Sequence, residues 1–269
     1  RLPTVVGFAL TAYPGANRRH YQFMLEGLRE TENRLAARGI GFCIRQGRPE
    51  DVIPELAKSA VLLIGDVGYL RIQRQWREAV AKCVTCPVVF VEGDVVVPVA
   101  EVSDHAEFAA RTIRPKIHRK LAECLKPIRS VPVVIPSVGL AKRSLKLDDP
   151  EAVCRKLGTD TSVPAAGIAG GYAAANKLLN RFVAHRLADY AEEASDPVLD
   201  GCSGMSPYLH FGQISPREIA LRVQAADAPR AAIDAYLEQL IVRRELSMNA
   251  CGFNPGYDRY DTLPAWALK

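Results

Sequence analysis

Methionine and tryptophan are scarce in this 269-residue chain, at three and two residues, and aromatics of all kinds reach only 7%. Long apolar runs are missing too. The longest, Val88–Val91 and Val95–Val99, are strand-sized and are interrupted by Glu92 and Asp94, far short of the ~20 residues that cross a bilayer. No stretch reads as a signal peptide, and position 1 is Arg rather than Met, so the chain is expected to be an internal piece of a longer protein. Seven cysteines, an odd number without framework spacing, argue against a disulfide scaffold and fit a reducing compartment, with cytoplasm the expected location. A strong excess of one charge is also absent: 35 basic against 30 acidic residues leave +5, which permits a polyanionic partner without demanding one. With 48% hydrophobic and 24% charged residues, collagen-like, disordered and coiled-coil chains are excluded. No internal repeat, phosphate-binding P-loop, nucleophile elbow or paired-carboxylate signature stands out.

What is present divides in two, as the length alone suggests. Over residues 1–126 short β-rich runs alternate with helical patterns: Thr4–Leu10, then His20–Arg38, Gly41–Arg45, Pro49–Lys58, Ala60–Gly65, Leu70–Cys83, Pro87–Val91 and Phe108–Leu125. Ala60–Gly65 is apolar throughout and predicts a strand buried on both faces. This alternation means βαβ units and a doubly wound parallel sheet, an α/β domain of Rossmann-like type. Residues 127–164 carry five prolines and lose that rhythm, apart from a short helical run near Glu151–Leu157, and read as an interdomain connector. From Ala165 to the end the pattern is helical: Ala173–Glu193, Ser215–Ala225 and Arg230–Cys251.

The richest chemistry lies in Asp200–Glu218. Ser206 can cap a helix whose first position is Pro207, and Ser215-Pro-Arg-Glu218 forms a capping-box pattern. Gly201, Ser203 and Gly204 let backbone approach a ligand, so free N–H groups and hydroxyls there suit phosphate oxygens. The same residues also suit an ordinary helix–loop–helix connection. A second cluster lies in Tyr236–Leu246. On an α-helix Tyr236, Gln239 and Arg243 share one face, with Arg244 one position further round, and either receive a flat polar ligand or form a routine solvated face. Arg111, Arg114, Lys116, His118, Arg119 and Lys120 make a basic helix, read as a solvated face or a phosphate track. Cys83-Val-Thr-Cys86 has metal or redox spacing but no second pair, and the five histidines show no metal spacing, so no metal is expected.

The order of several segments carries a resemblance. Phe90-Val-Glu-Gly-Asp-Val-Val-Val-Pro98, Ala109-Ala-Arg-Thr-Ile-Arg-Pro-Lys-Ile117, Ser203–Ser215, Leu240-Ile-Val-Arg-Arg-Glu-Leu246 and Asn254-Pro-Gly-Tyr-Asp258 together resemble class II cyclobutane pyrimidine dimer photolyases. The resemblance implies an N-terminal α/β domain, a connector and a helical FAD-binding domain, both ends being longer in the family. It implies a light-driven DNA repair enzyme: reduced FAD is excited, an electron passes to the dimer, the ring opens and the electron returns. The partner it implies is DNA containing cyclobutane pyrimidine dimers, with no membrane and a monomeric protein. An antenna chromophore is compatible with it, of unknown identity. Since the family's C-terminal helices supply much of the flavin pocket, these 269 residues alone are expected to hold FAD poorly.

The resemblance also implies roles for particular residues. Cys202, Ser203, Gly204, Met205 and Ser206 fall on the flavin-contacting segment, whose motif begins with a Tyr placed here at Tyr190. Cys202 stands where relatives often carry Thr. Tyr236, Glu238 and Arg243 fall on substrate-binding positions, Tyr236 as an aromatic of the lesion pocket. Gln239 and Arg244 fall on the catalytic ones, Arg244 between flavin and DNA. Family members read Glu-Glu where this chain has Glu238-Gln239. A Gln amide donates a hydrogen bond but passes no proton, so dimer binding is expected to persist and repair yield to fall. Two other readings stand beside this one: a cryptochrome-like blue-light flavoprotein, favoured by Gln239, and a flavin-free nucleic-acid-binding relic.

Overall fold

β-Branched and aromatic residues begin the chain as strand β1 (Val5–Leu10), and a helix separates each strand from the next, so every pairing is parallel. The computed structural model describes residues 2–142, 144–263 and 265–268. Its first half runs β1, α1 (Arg18–Ala37), β2 (Gly41–Gln46), α2 (Pro49–Ala57), β3 (Leu63–Asp66), α3 (Arg71–Cys83), β4 (Val88–Val91), α4 (Val99–Val102) and α5 (Ala110–Cys124). Asn17 starts α1 with a reciprocal cap. Its side chain accepts from Arg19 N at 3.1 Å, while its own N–H donates to His20 Nδ1 at 3.2 Å. The short α4 falls where the sequence pattern signals no helix.

The four strands do not form one continuous ladder among the described residues. β1 pairs with β2, from Val5 opposite Gly41 to Leu10 opposite Gln46, and β3 pairs separately with β4. The expectation of a strand at Ala60–Gly65 buried on both faces is corrected accordingly. β3 is shorter, and Ile64 stays 61% exposed because neither the ladder nor a covering helix closes over it. By contrast Phe42, Cys43 and Ile44 of β2 are buried, and Leu10 and Ile44 share a cluster with Leu25 of α1.

The proline-rich stretch is more than a spacer. It lies along β2: Gly41 N donates to Ser137 Oγ at 2.8 Å, Ile44 N to Ser144 Oγ at 3.0 Å and Leu145 N to Ile44 O at 2.8 Å. Leu147 enters the β2 cluster, and α6 (Pro150–Lys156), capped by Asp149, packs against α1.

Helices then follow one another: α7 (Tyr172–His185), α8 (Tyr190–Glu193), α9 (Ser206–His210), α10 (Pro216–Gln224), α11 (Arg230–Leu237), a π-helical turn (Glu238–Arg243) and α12 (Arg244–Phe253). The single helix expected over Ala173–Glu193 breaks at Arg186, whose guanidinium turns to the Asp200 carbonyl at 2.8 Å and carboxylate at 2.5 Å. Beyond the break Tyr190 drops into the core against Phe182. The largest core cluster draws on both halves, joining Phe23, Val96, Ile113 and Ile117 to Leu179, Phe182, Tyr236 and Ile241. Polar clasps reinforce this. Glu26 and Glu30 of α1 accept from Gly170 N and Ala173 N at the start of α7, and Gln213 bridges Phe23 O and Gly171 N.

Candidate functional site

The segment Cys202–Ser206 leads from the loop after α8 into α9. Gly204 sits at φ +69°, a conformation that other residues adopt only with strain, and a Cβ there would stand 3.2 Å from Leu178 Cδ2. Side chains alternate along it, with Met205 fully buried and Cys202 and Ser206 exposed. Among the described residues, the backbone N–H groups of Ser203, Gly204 and Ser206 have no acceptor. The helix start shifts by one residue from expectation: Met205 occupies the cap position and Ser206 the first turn, with no side-chain cap bond. The capping box expected at Ser215–Glu218 does not form either. Glu218 instead accepts from the Tyr172 hydroxyl at 2.7 Å and faces Arg222.

The two stretches singled out in sequence meet through Tyr236. It is 4% exposed, packs on Phe182 and Tyr190 at ring separations of 5.0 Å each, and its hydroxyl donates to Ser203 Oγ at 3.1 Å. Burial pushes its phenol up to about 12, the Ser203 contact pulling the other way. Burial likewise raises Tyr190, with Cys202 nearby adding to the rise. Tyr190, Cys202, Ser203 and Tyr236 therefore form one neighbourhood.

Gln239 and Arg243 point elsewhere. The expectation that Tyr236, Gln239 and Arg243 share a face assumed α-helical periodicity, and the π turn over Glu238–Arg243 breaks it. The wider turn buries Leu240, Ile241 and Val242 consecutively, which leaves Gln239 and Arg243 exposed while Tyr236 faces inward. Glu238 is gripped by Arg114 of α5, Nε to Oε2 at 3.0 Å and NH2 to Oε1 at 2.7 Å, and that guanidinium holds its carboxyl below the usual range. Arg244 is bound at 2.5 Å to both the carbonyl and the carboxylate of Asp94.

Glu245, Asn249, Glu107 and Asp94, to which the sequence reading gives no role, complete this region together with Lys116 of the basic helix. Glu245, 1% exposed, accepts from Val96 N at 2.5 Å and Val97 N at 3.3 Å, and burial lifts its carboxyl to about 7. Asn249 is fully buried, accepting from Glu107 N at 2.7 Å and donating to His105 O at 3.0 Å. Lys116 binds Glu107 and holds its carboxyl down at about 2. Asp94 receives Arg244. Glu245 and Asn249 stand four apart on one face of α12 and are its buried residues, and that spacing is the sequence signal for them.

Of the basic α5 residues, Arg114, Lys116 and Lys120 are paired, whereas Arg111, His118 and Arg119 are exposed, Arg111 lying over the Phe108 ring. Cys83 and Cys86 are free thiols, and no group of metal-binding side chains is found among the described residues. No helix among them is long and apolar enough to cross a membrane. A cavity of about 270 Å³ opens elsewhere, over the carboxyl ends of β1 and β2, lined by Leu10, Tyr13, Tyr21, Gln46, Arg48 and Asp160. That is where parallel sheets commonly take ligands.

The sequence profile of the DNA photolyase family matches residues 3–133. The deoxyribodipyrimidine photo-lyase of Methanothermobacter thermautotrophicus is 37% identical, over 99% of this chain and 58% of its own length. That of Potorous tridactylus is 32% identical over 99% of this chain and 51% of its own. The chain thus spans just over half the length of these relatives. Among solved structures, the archaeal photolyase of Sulfolobus tokodaii, crystallised with two FAD molecules, superposes with a TM-score of 0.70 over 94% of this chain and 54% of that one, at 17% identity. The first half of the chain thus matches the DNA photolyase family, and nearly the whole chain is similar to deoxyribodipyrimidine photo-lyases.

Proposed function

We propose that the chain is part of a deoxyribodipyrimidine photo-lyase of class II, an enzyme that repairs cyclobutane pyrimidine dimers in DNA under light with reduced FAD. The observation that carries the reading is the bond from Tyr236 to Ser203, which joins the cradle segment to the helix bearing Glu238, Gln239 and Arg243. The cradle suits a dinucleotide: open N–H groups at Ser203, Gly204 and Ser206, two hydroxyls, and a glycine at positive φ give a diphosphate donors without a Cβ in the way. Tyr190 and Met205 back it from the core side while Cys202 faces solvent, so it is held to one shape. Bound in its reduced form, FAD supplies the photoexcited electron that opens the dimer's ring.

The chain's own residues orient and stabilise. Gln239, exposed at the start of the π turn, offers an amide N–H to a pyrimidine carbonyl and so stabilises negative charge there, but it has no proton to transfer. Arg243, exposed beside it, suits a phosphate or base edge. Arg244 acts through Asp94, fixing the far end of the turn. The dimer reaches such a site only out of the duplex, and its poor pairing lowers that cost. Cationic contacts make binding weaken with salt. The cavity over β1 and β2 is the place in the α/β half for an antenna chromophore.

The test is repair of a dimer-containing oligonucleotide by the full-length parent protein, reduced and supplied with FAD, in light and in darkness. Repair in light alone supports the reading. Flavin binding without repair replaces it with a blue-light sensor.

A further inference from the structure

The π turn is bracketed by ion pairs, and each reaches into the first half of the chain. On its far side Arg244 holds Asp94 and Glu245 holds the Val96 and Val97 amides, all anchored beside the core. On its near side the anchor is Arg114, whose planar fork meets both oxygens of Glu238. Glu238 has a second suitor: Arg243 Nε, at the other end of the turn, lies 3.8 Å from the same Oε1. Arg243 is nevertheless 59% exposed at its side chain, against 38% for Arg114. One carboxylate is therefore shared between a guanidinium that grips it and one left mostly in water.

We propose that Arg114 is a positioning residue: by occupying Glu238 it fixes the register of Glu238–Arg243 and keeps Gln239 and Arg243 turned outward to meet the damaged strand. The outward role of those two residues rests on the photolyase reading; the fixing of the turn does not. A six-residue π turn forgoes α-helical bonding, and such turns persist where the surroundings over-determine them. Without Arg114, the guanidinium left beside Glu238 is that of Arg243, with His118 of α5 a weaker neighbour, and Glu238 and Arg243 close on each other across the turn. Arg243 is then withdrawn from solvent, and the turn loses its near-side anchor.

The test compares Arg114→Ala, Arg114→Lys, Glu238→Gln and the double variant Arg114→Ala/Glu238→Gln in the full-length protein. Amide hydrogen exchange is followed in Glu238–Arg243, with α7 as internal control, beside the affinity for a dimer-containing oligonucleotide. Arg114→Ala is expected to speed exchange in the turn by about tenfold with α7 unchanged, Arg114→Lys to fall between, since an ammonium lacks the fork. The double variant, which leaves Arg243 no carboxylate to close upon, is expected to bind more tightly than Arg114→Ala, though below the unsubstituted protein because the turn still lacks its anchor. Unchanged exchange in the turn, acceleration spread equally over α7, or a double variant no better than the single would each overturn the proposal. If the unsubstituted protein fails to distinguish damaged from intact DNA, the photolyase reading fails, and the exchange result still decides the role of Arg114 in the turn.

Discussion

The Tyr236 hydroxyl donates to Ser203 Oγ across 3.1 Å, joining two segments 33 residues apart in sequence inside one aromatic cluster. Tyr236→Phe keeps the ring and removes this bond, and a cost of about 1 kcal/mol in unfolding free energy is expected. Tyr236→Ala also empties the space between Phe182 and Tyr190 and is expected to cost about 3–5 kcal/mol. Denaturant titration of both variants checks the difference. If Phe costs as much as Ala, the hydroxyl rather than the ring dominates, contrary to this account.

Gly204 is the tightest constraint on the cradle. Its φ of +69° and the 3.2 Å approach to Leu178 mean that Gly204→Ala strains both backbone and packing, by roughly 1–2 kcal/mol. The same substitution is expected to weaken FAD uptake by the full-length protein at least tenfold, read by flavin fluorescence on titration. Unaltered uptake would place the dinucleotide elsewhere.

Gln239→Glu is expected to raise the number of dimers repaired per absorbed photon while leaving dimer affinity within about twofold, because a carboxyl protonated against the pyrimidine carbonyl replaces the amide donor with an O–H that can also be transferred. Equal yields for the two proteins remove Gln239 from the chemistry.

Glu245 gives the fold a pH signature. Burial raises its carboxyl from 4.5 to about 7 despite the Val96 and Val97 amides and Arg244, with Glu92 adding to the rise. A raised folded value means stability fully present below about 4.5 and lost as pH climbs through about 7, on the order of 3 kcal/mol in all. Glu107, held down at about 2, contributes stability that is constant across this window, since it is lost only in stronger acid. Thermal unfolding across the window is therefore expected to show stability declining with pH in the natural protein and a flatter profile in Glu245→Gln. Identical profiles would mean that Glu245 does not titrate there.

Much of this was legible in the residues. Apolar periodicity places the strands and helices of the first half within a few residues, and the glycines and serines around Cys202–Ser206 mark a connection between helices, with Gly204 at positive φ. What sequence could not carry was anything set by partners distant in the chain. Glu238 is a routine helix glutamate until Arg114 arrives from 124 residues away. The π turn was hidden because α-helical spacing was assumed through it, although three successive apolar residues, Leu240, Ile241 and Val242, are hard to bury on one stripe of an α-helix. Likewise Ile64 looked like the centre of a doubly covered strand, since apolar composition alone does not reveal which neighbours close over it.

The account stands or falls on light. Dimer loss from a defined oligonucleotide should be measured wavelength by wavelength with the reduced, FAD-loaded full-length protein, at equal photon flux, and overlaid on the absorption of the bound reduced flavin, with any antenna band identified separately. The account predicts that the two profiles coincide and that the dark rate is zero. Repair that proceeds in darkness, or none at any wavelength the flavin absorbs, would contradict it.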